Sequence, residues 1–286
     1  MINQAQFGES ITRFAPFGIR FWDEVSRSVI RDGLQVIAYP PSNPERRVQA
    51  LVNSHGIYAL LGLPGLRDIE DGLPTTRRYP FIIEVTDDRG QFQPFLLSAE
   101  LPWTGLFIWS CGSVGSPQSG QTGSPMELAP TFVPLYSTPV RTIPSGQAVV
   151  RAELWDPLLQ APAAFARMIA FYRGQFVAQS FADAAGRIAV IFSYPELRNW
   201  PGSSAAPGTQ PTWTIQLQAA YAPQAQSPTI PDLCSTLTQP PANLWDDESL
   251  TQQLPAITLV FGQELVVQST RTGDRTPPSV LLITPA

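Results

Sequence analysis

Thirty prolines are spread through the 286 residues of this chain, about twice the roughly 5% of average usage. Proline lacks a backbone N–H and fixes φ, so at this density it interrupts helices and collects at strand ends and turns. The apolar residues agree, because they recur with period two and rarely with helical period. Leu34–Tyr39 alternates and stops at Pro40-Pro41. Phe81–Thr86, Phe92–Leu97, Val149–Leu154, Met168–Tyr172, Phe176–Phe181 and Ile188–Phe192 read as further strands. Thr212–Tyr221 places Trp213, Ile215, Leu217, Ala219 and Tyr221 on one face. Ile257–Phe261 and Glu264–Gln268 flank Gly262-Gln263, which suits a type II′ hairpin. Ser279–Thr284 reads as a last strand.

Helix candidates are few. Glu9–Phe14 is short, Trp22–Ile30 fits two helical turns or a loop and a strand, and Ala161–Met168 fits a short helix starting near Pro162. Gly112–Pro130 is rich in Gly, Ser and Pro and carries no charge before Glu127, as a linker or long loop would. Trp200–Pro211 is a shorter break of the same kind. The expected fold is therefore mostly β: two small antiparallel β-sandwich domains with a β-rich C-terminal extension. Residues 17–111 form the first sandwich, 112–131 the linker, 132–223 the second sandwich and 224–286 the strand-containing extension.

The two halves share punctuation. Trp22-Asp23 opens the first and Trp155-Asp156 the second. Each also holds Asp-x-x-Gly between apolar strands, at Asp87–Gly90 and Asp183–Gly186. Aspartate first and glycine fourth is a type I turn signal. Each following strand runs to a proline, Pro102 and Pro195. Trp22 and Trp155, at matching positions, read as core anchors. The spacing differs between the halves, so a duplication requires an insertion in the first.

Composition narrows the chemistry. All 18 basic residues are arginine, His55 is the only histidine, and Cys111 and Cys234 are the only cysteines. Without lysine there is no Schiff base and no P-loop lysine. Arginine is enriched at contacts between proteins, where lysine is depleted. Charged residues are 14% against a typical ~25%, as if neighbours cover part of the surface. The net charge of -5 and pI near 4.9 argue against nucleic-acid binding. Arg46-Arg47 and Arg77-Arg78 are isolated pairs. Met1–Ser10 has no secretory pattern, and no apolar run reaches the ~20 residues of a membrane helix. Two cysteines without metal spacing fit a reduced, cytosolic compartment, where a lone cysteine behaves as a small buried hydrophobe.

No catalytic, cofactor or metal residues are assigned. One histidine and two distant cysteines cannot complete a zinc site. Asp68, Glu70 and Asp71, and Asp246, Asp247 and Glu248, read as solvated acidic turns, not calcium loops. A nucleophilic pair could use only His55 with Cys111 or Cys234, and neither a Gly-x-Ser-x-Gly elbow nor a dinucleotide fingerprint is present. Glycosidase chemistry needs only two carboxylates, so Glu84, Glu100, Glu153 and Glu196 remain candidates. Trp103, Trp109, Trp200 and Trp245 lie beside Pro/Gly loops, where an indole covers an edge or fills an interface. Trp103 or Trp200 would also suit sugar stacking.

Trp22-Asp23, Val29–Val36 and the turn Asp87–Phe92, with Ala170–Ile188 in the second half, resemble carboxypeptidase-regulatory-like and transthyretin-like sandwiches. A second resemblance spans roughly Phe17–Pro201. Gly56–Arg67, Asp88–Pro94, Arg151–Asp156 and Asp183–Glu196 resemble proteins of bacterial contractile injection systems, particles like headless phage tails. That resemblance implies a cytoplasmically assembled, cofactor-free structural subunit at the apical cap or near the baseplate. Its partners would be sheath, tube, cap or baseplate proteins, with no nucleic acid and no transmembrane segment. The arginines Arg67, Arg89, Arg151 and Arg187 sit within the shared motifs and would brace the fold, while Arg173 would point outward. The alternatives are a carbohydrate- or surface-binding sandwich and an Asp/Glu glycoside hydrolase.

Overall fold

The computed structural model describes residue 15 and residues 17–66, 78–102, 105–111, 131–195, 210–223, 229–270 and 280–286. The chain is nearly all β. The first half contains β1 (Phe17–Asp23), β2 (Ser28–Val29), β3 (Leu34–Tyr39), β4 (Val48–Gln49), β5 (Leu51–Val52), β6 (Tyr58–Leu60), β7 (Tyr79–Asp87), β8 (Phe95–Leu101) and β9 (Phe132–Leu135). The second contains β10 (Gln147–Asp156), β11 (Ala161–Pro162), β12 (Arg167–Tyr172), β13 (Gln175–Phe181), β14 (Arg187–Ser193) and β15 (Thr212–Ala220). After these come helix α1 (Leu233–Leu237), then β16 (Pro241–Trp245), β17 (Ile257–Val260), β18 (Leu265–Val266) and β19 (Leu281–Pro285).

Strand pairing repeats between the halves. β1 turns back into β2 with Trp22 opposite Val29 and Asp23 opposite Ser28. β10 turns back into β11 with Trp155 opposite Pro162 and Asp156 opposite Ala161. β7 runs antiparallel to β3 with Leu34 opposite Asp87, and β15 antiparallel to β12 with Arg167 opposite Ala220. β6 lies antiparallel to β1, and β14 antiparallel to β10. Each half closes on a strand parallel to its first: β9 beside β1, and β19 beside β10. Even the hydrogen bonds after the hairpins match, with Ile30 N donating to Phe21 O and Ala163 N to Leu154 O.

The counterpart of Asp183–Gly186 in the first half is Asn53–Gly56, not Asp87–Gly90. The Asn53 side chain accepts from the N–H groups of His55 and Ile57, as the Asp183 side chain accepts from those of Ala185 and Arg187. Asp87–Gly90 is a turn of the same family, with Asp87 accepting from Arg89, Gln91 and Phe92, but it joins β7 to β8. The two turns share local chemistry without sharing a place in the fold.

Alternation sets the cores. Phe17, Ile19 and Phe21 of β1 point inward with Phe81, Ile83 and Val85 of β7 and Phe95 and Leu97 of β8. Fully burying each such side chain stabilises by roughly 1.5–3 kcal/mol. In the second half Val150, Ala152 and Leu154 of β10 meet Ile188 and Val190 of β14, with Ile215, Leu259 and Ile283 from the facing strands. Phe165, Phe181, Leu233 and Leu237 belong to the first core although they lie in the second half of the sequence. The halves are thus packed together.

Several elements differ from the sequence reading. β9 falls at the start of the expected second sandwich but pairs with β1. The sequence leaves open whether the strands after Pro223 pair within the chain or are donated to a neighbour; they pair within it, β16 and β17 with β15, and β18 and β19 with β10. β17 and β18 therefore do not form a hairpin with each other, and Gly262 (φ 73°) carries the chain from one sheet to another. Trp22–Ile30 is a loop and a strand, and Ala161–Met168 is a strand and a turn because β11 is held to β10 by backbone bonds. Helix α1 went unread; Asp232 caps it by accepting from Ser235 N at 2.8 Å. Glu9–Phe14, Asp68, Glu70, Asp71, Arg67, Arg77, Trp103, Gly112–Pro130, Glu196, Trp200 and most of Trp200–Pro211 lie outside the described residues.

Candidate interaction surfaces

The hairpin turns after β1 and β10 are built alike. Asp23 Oδ1 accepts from Val25 N at 3.0 Å, and Asp156 Oδ1 from Leu158 N at 2.8 Å. The next N–H, from Ser26 or Leu159, also reaches the aspartate. Both turns close through a residue with positive φ, Arg27 at 50° and Gln160 at 52°. A short side-chain acceptor holding successive N–H groups is what an Asx turn requires. The second residue after the aspartate is thereby pushed outward as a knob, Val25 in one turn and Leu158 in the other.

Val25 is seated. It packs with Val149 of β10 and Ala189 and Ile191 of β14, on the sheet face opposite the second core, with Ile143 alongside. Leu158 is 69% exposed and Leu159 53%.

The seated turn is locked by Arg141, which sequence reasoning missed. Its guanidinium donates to both Asp23 carboxylate oxygens, at 2.9 and 2.6 Å, and to Ser137 Oγ at 3.0 Å. It also lies 4.8 Å from the Phe92 ring centroid. The two side chains are 7% and 2% exposed. Burial alone would raise the Asp23 carboxyl; the bond to Arg141, with those to Ser26 and Val25, outweighs it and holds the pKa below its ordinary value. At Asp156 the neighbour is Tyr221, whose phenol is pushed up to about 12 by burial and then by the carboxylate.

A second link joins the halves. Cys111 and Cys234 form a disulfide, with Cα atoms 5.0 Å apart. They are not the unpaired, hydrophobe-like cysteines expected from sequence, and neither presents a thiol to His55. It ties the segment after β8 to helix α1, whose last carbonyl region Arg167 engages by donating to Leu237 O at 2.7 Å.

A cleft of about 310 Å³ opens beside the seated turn, lined by Trp22, Glu24, Arg27, Tyr136, Phe176 and Gln179 among others. Gln179 Nε2 donates to Tyr136 Oη at 3.3 Å. The carboxyl of Glu24, one of the lining residues, is raised above its ordinary range, mainly because neighbouring protein displaces its water. Trp22 is half-buried against Phe132, centroids 5.7 Å apart, so Phe21 and Leu154, not Trp22 and Trp155, are the core anchors.

The carboxylates singled out in the sequence are dispersed. Glu84 pairs with Arg47, Glu100 is exposed on β8, and Glu153 lies on β10. His55 is an exposed turn residue, its ring 3.4 Å from Ser54 Oγ. Asp247 accepts from Ser249, Thr251 and Gln252, as a capped turn. Among the described residues no cluster of three or more His, Cys, Asp or Glu could hold a metal. No helix among them is long and apolar enough to cross a membrane. Arg89 pairs with Asp32, Arg187 with Asp183, and Arg151 with Glu264 while also donating to Pro139 O. Arg173 is exposed at a turn, stacked on Tyr172. Trp245 donates to Thr284 Oγ1, and Trp109 packs against the first core.

No protein-family model matches this chain, and no curated protein matches it. Among solved structures the chain is similar to BcpA, the major pilin subunit of Bacillus cereus, at 9% identity and a TM-score of 0.20, covering 84% of this chain and 56% of the pilin. It is also similar to a candidate adhesin from Bacteroides ovatus, at 10% identity and a TM-score of 0.18, covering 93% of this chain and 99% of that one. The chain therefore spans little more than half the length of the pilin. Neither superposition is close enough to carry an argument.

Proposed function

We propose that this chain is a structural subunit of a contractile, phage-tail-like injection system, at its apical cap end, and acts through protein–protein contacts. The observation that carries the assembly reading is the pair of like turns: one buried between the halves, the other presenting Leu158 and Leu159 to solvent. A disulfide and the seating of Val25 on β10 and β14 hold the halves together, and a bidentate ion pair fixes the seated turn, as a mechanical brace requires. The particular particle rests on the motifs at Gly56–Arg67, Asp88–Pro94, Arg151–Asp156 and Asp183–Glu196. Because β16–β19 are used within the chain, the contacts run through exposed turns and arginines and not through a donated C-terminal strand. The disulfide suits oxidising surroundings and not the reduced cytosol that two unpaired cysteines would fit; cytoplasmic assembly rests on the family resemblance alone.

The cleft beside Trp22 supports a second reading, a carbohydrate- or surface-binding sandwich. Isolation of the tagged chain from its native host separates the two. Recovery with sheath and tube proteins supports the assembly reading. Recovery of a lone monomer that binds glycans, and loses them on Trp22→Ala, overturns it.

A further inference from the structure

We infer that the second turn docks head-to-tail on a second copy of this chain, at the place in its first half that matches the seat of Val25. This deepens the assembly reading, on which it rests for its biological setting. The knob is identified by position. Leu158 follows Asp156 as Val25 follows Asp23, with the same N–H bond to the aspartate and the same positive-φ closure.

The seat is identified the same way. Counted from the matching turns at Asn53 and Asp183, Ala189 corresponds to Ala59 and Ile191 to Leu61. Strand pairing agrees, because Ala59 lies opposite Gly18 on β1 and Ala189 opposite Arg151 on β10, each five positions before the turn aspartate. Ala189 and Ile191 are 0% and 5% exposed because Val25 covers them. Ala59 and Leu61, with Ile57 beside them, keep solvent access. Within one chain, then, the first half supplies a knob to the second half's seat. Among the described residues no turn is seated on Ala59 and Leu61 as Val25 is on Ala189 and Ile191, and Leu158 is exposed; a neighbouring copy in the same relative placement joins the two.

The occupant is a second copy because the contact continues one already made inside the chain, with the same elements on each side. Such a contact uses different patches on the two partners, so it propagates into a ring or a row and does not stop at a two-fold dimer. The exposed part of the second turn, Pro157-Leu158-Leu159-Gln160, carries no charge to desolvate.

The test uses the full chain with single cysteines at the two patches and a bismaleimide cross-linker. The native cysteines are joined to each other and are spared. Mixing Leu158→Cys chains with Leu61→Cys chains is expected to give a cross-linked dimer, and Leu158→Cys alone is expected to give none. Sedimentation velocity is expected to show concentration-dependent association, weakened roughly tenfold or more by Leu158→Asp, the cost of losing one buried leucine. Leu158 is exposed, so this variant folds; a matching circular-dichroism melt checks that. A monomer at every concentration, or cross-linking by Leu158→Cys alone, overturns the inference. If the monomeric chain still co-purifies with sheath and tube proteins, self-docking fails while the assembly reading stands.

Discussion

Val25 and Leu158 hold the same place in the same turn, yet Val25 is 8% exposed and Leu158 69% exposed. Local sequence does not make the difference. Val25 has the outer face of β10 and β14 within reach, and Leu158 has solvent. In dilute protein Val25→Ala is therefore expected to destabilise by about 1–2 kcal/mol, through lost burial and the gap left behind. Leu158→Ala is expected to change stability by no more than about 0.5 kcal/mol. Urea unfolding of both variants checks the contrast.

The Asp23–Arg141 pair is the buried hinge-pin of the seated turn. Arg141→Met leaves a buried carboxylate uncompensated and is expected to cost roughly 3–5 kcal/mol. Asp23→Asn with Arg141→Met is expected to recover part of that loss. Because the folded pKa of Asp23 is depressed, its contribution is complete well above the unfolded value of ~3.9 and is lost as the pH falls through the lower folded value. The acid limb of a stability–pH curve is expected to flatten in Asp23→Asn.

The disulfide closes a sequence separation of 123 residues. Cross-links of that span stabilise mainly by restricting the unfolded chain, typically by about 2–5 kcal/mol. Cys111→Ala with Cys234→Ala is expected to lower the melting temperature by an amount matching reduction of the wild-type protein. Adding reductant to the double variant is expected to change nothing further.

Gly56 and Gly186 occupy matching turns with φ of 72° and 79°. A Cβ on Gly186 would collide with Leu154 O and lie 3.2 Å from Pro162 Cβ; one on Gly56 would meet Val29 Cγ1 at 2.9 Å and Ile30 O at 3.1 Å. Pro162 and Val29 are equivalent residues of the two halves, whereas the nearest carbonyls, of Leu154 and Ile30, are not. Gly186→Ala meets a backbone carbonyl that cannot swing away, so it is expected to cost more than about 1 kcal/mol and more than Gly56→Ala. Thermal melts of the two variants rank them.

Alternating runs such as Leu34–Tyr39 and Thr212–Tyr221 made the β class legible, since period two is a local property. The Trp-Asp pairs did mark equivalent turns. Partner choice was not legible, because pairing joins residues far apart in sequence. β9, Phe132-Val-Pro-Leu, has a proline in its middle and gives no sign of running beside β1. The repeat was mismatched because Asn53 replaces the aspartate of the true equivalent turn while Asp87 offers the same chemistry elsewhere. Helix α1 was readable in principle, from Asp232 as its cap. Arg141 was not, for nothing in Thr138-Pro-Val-Arg141 distinguishes it from a solvated arginine. Nor was the open knob, since Leu158-Leu159 reads as core until the turn that exposes it is known.

The proposed role of the chain is to build a particle through its contacts. Deleting its gene in the native host and imaging purified particles by electron microscopy tests this most directly. Intact contractile particles are expected to disappear or lose their capped end, and the wild-type gene is expected to restore them. Complete particles of normal length and end structure, assembled without the chain, would contradict it.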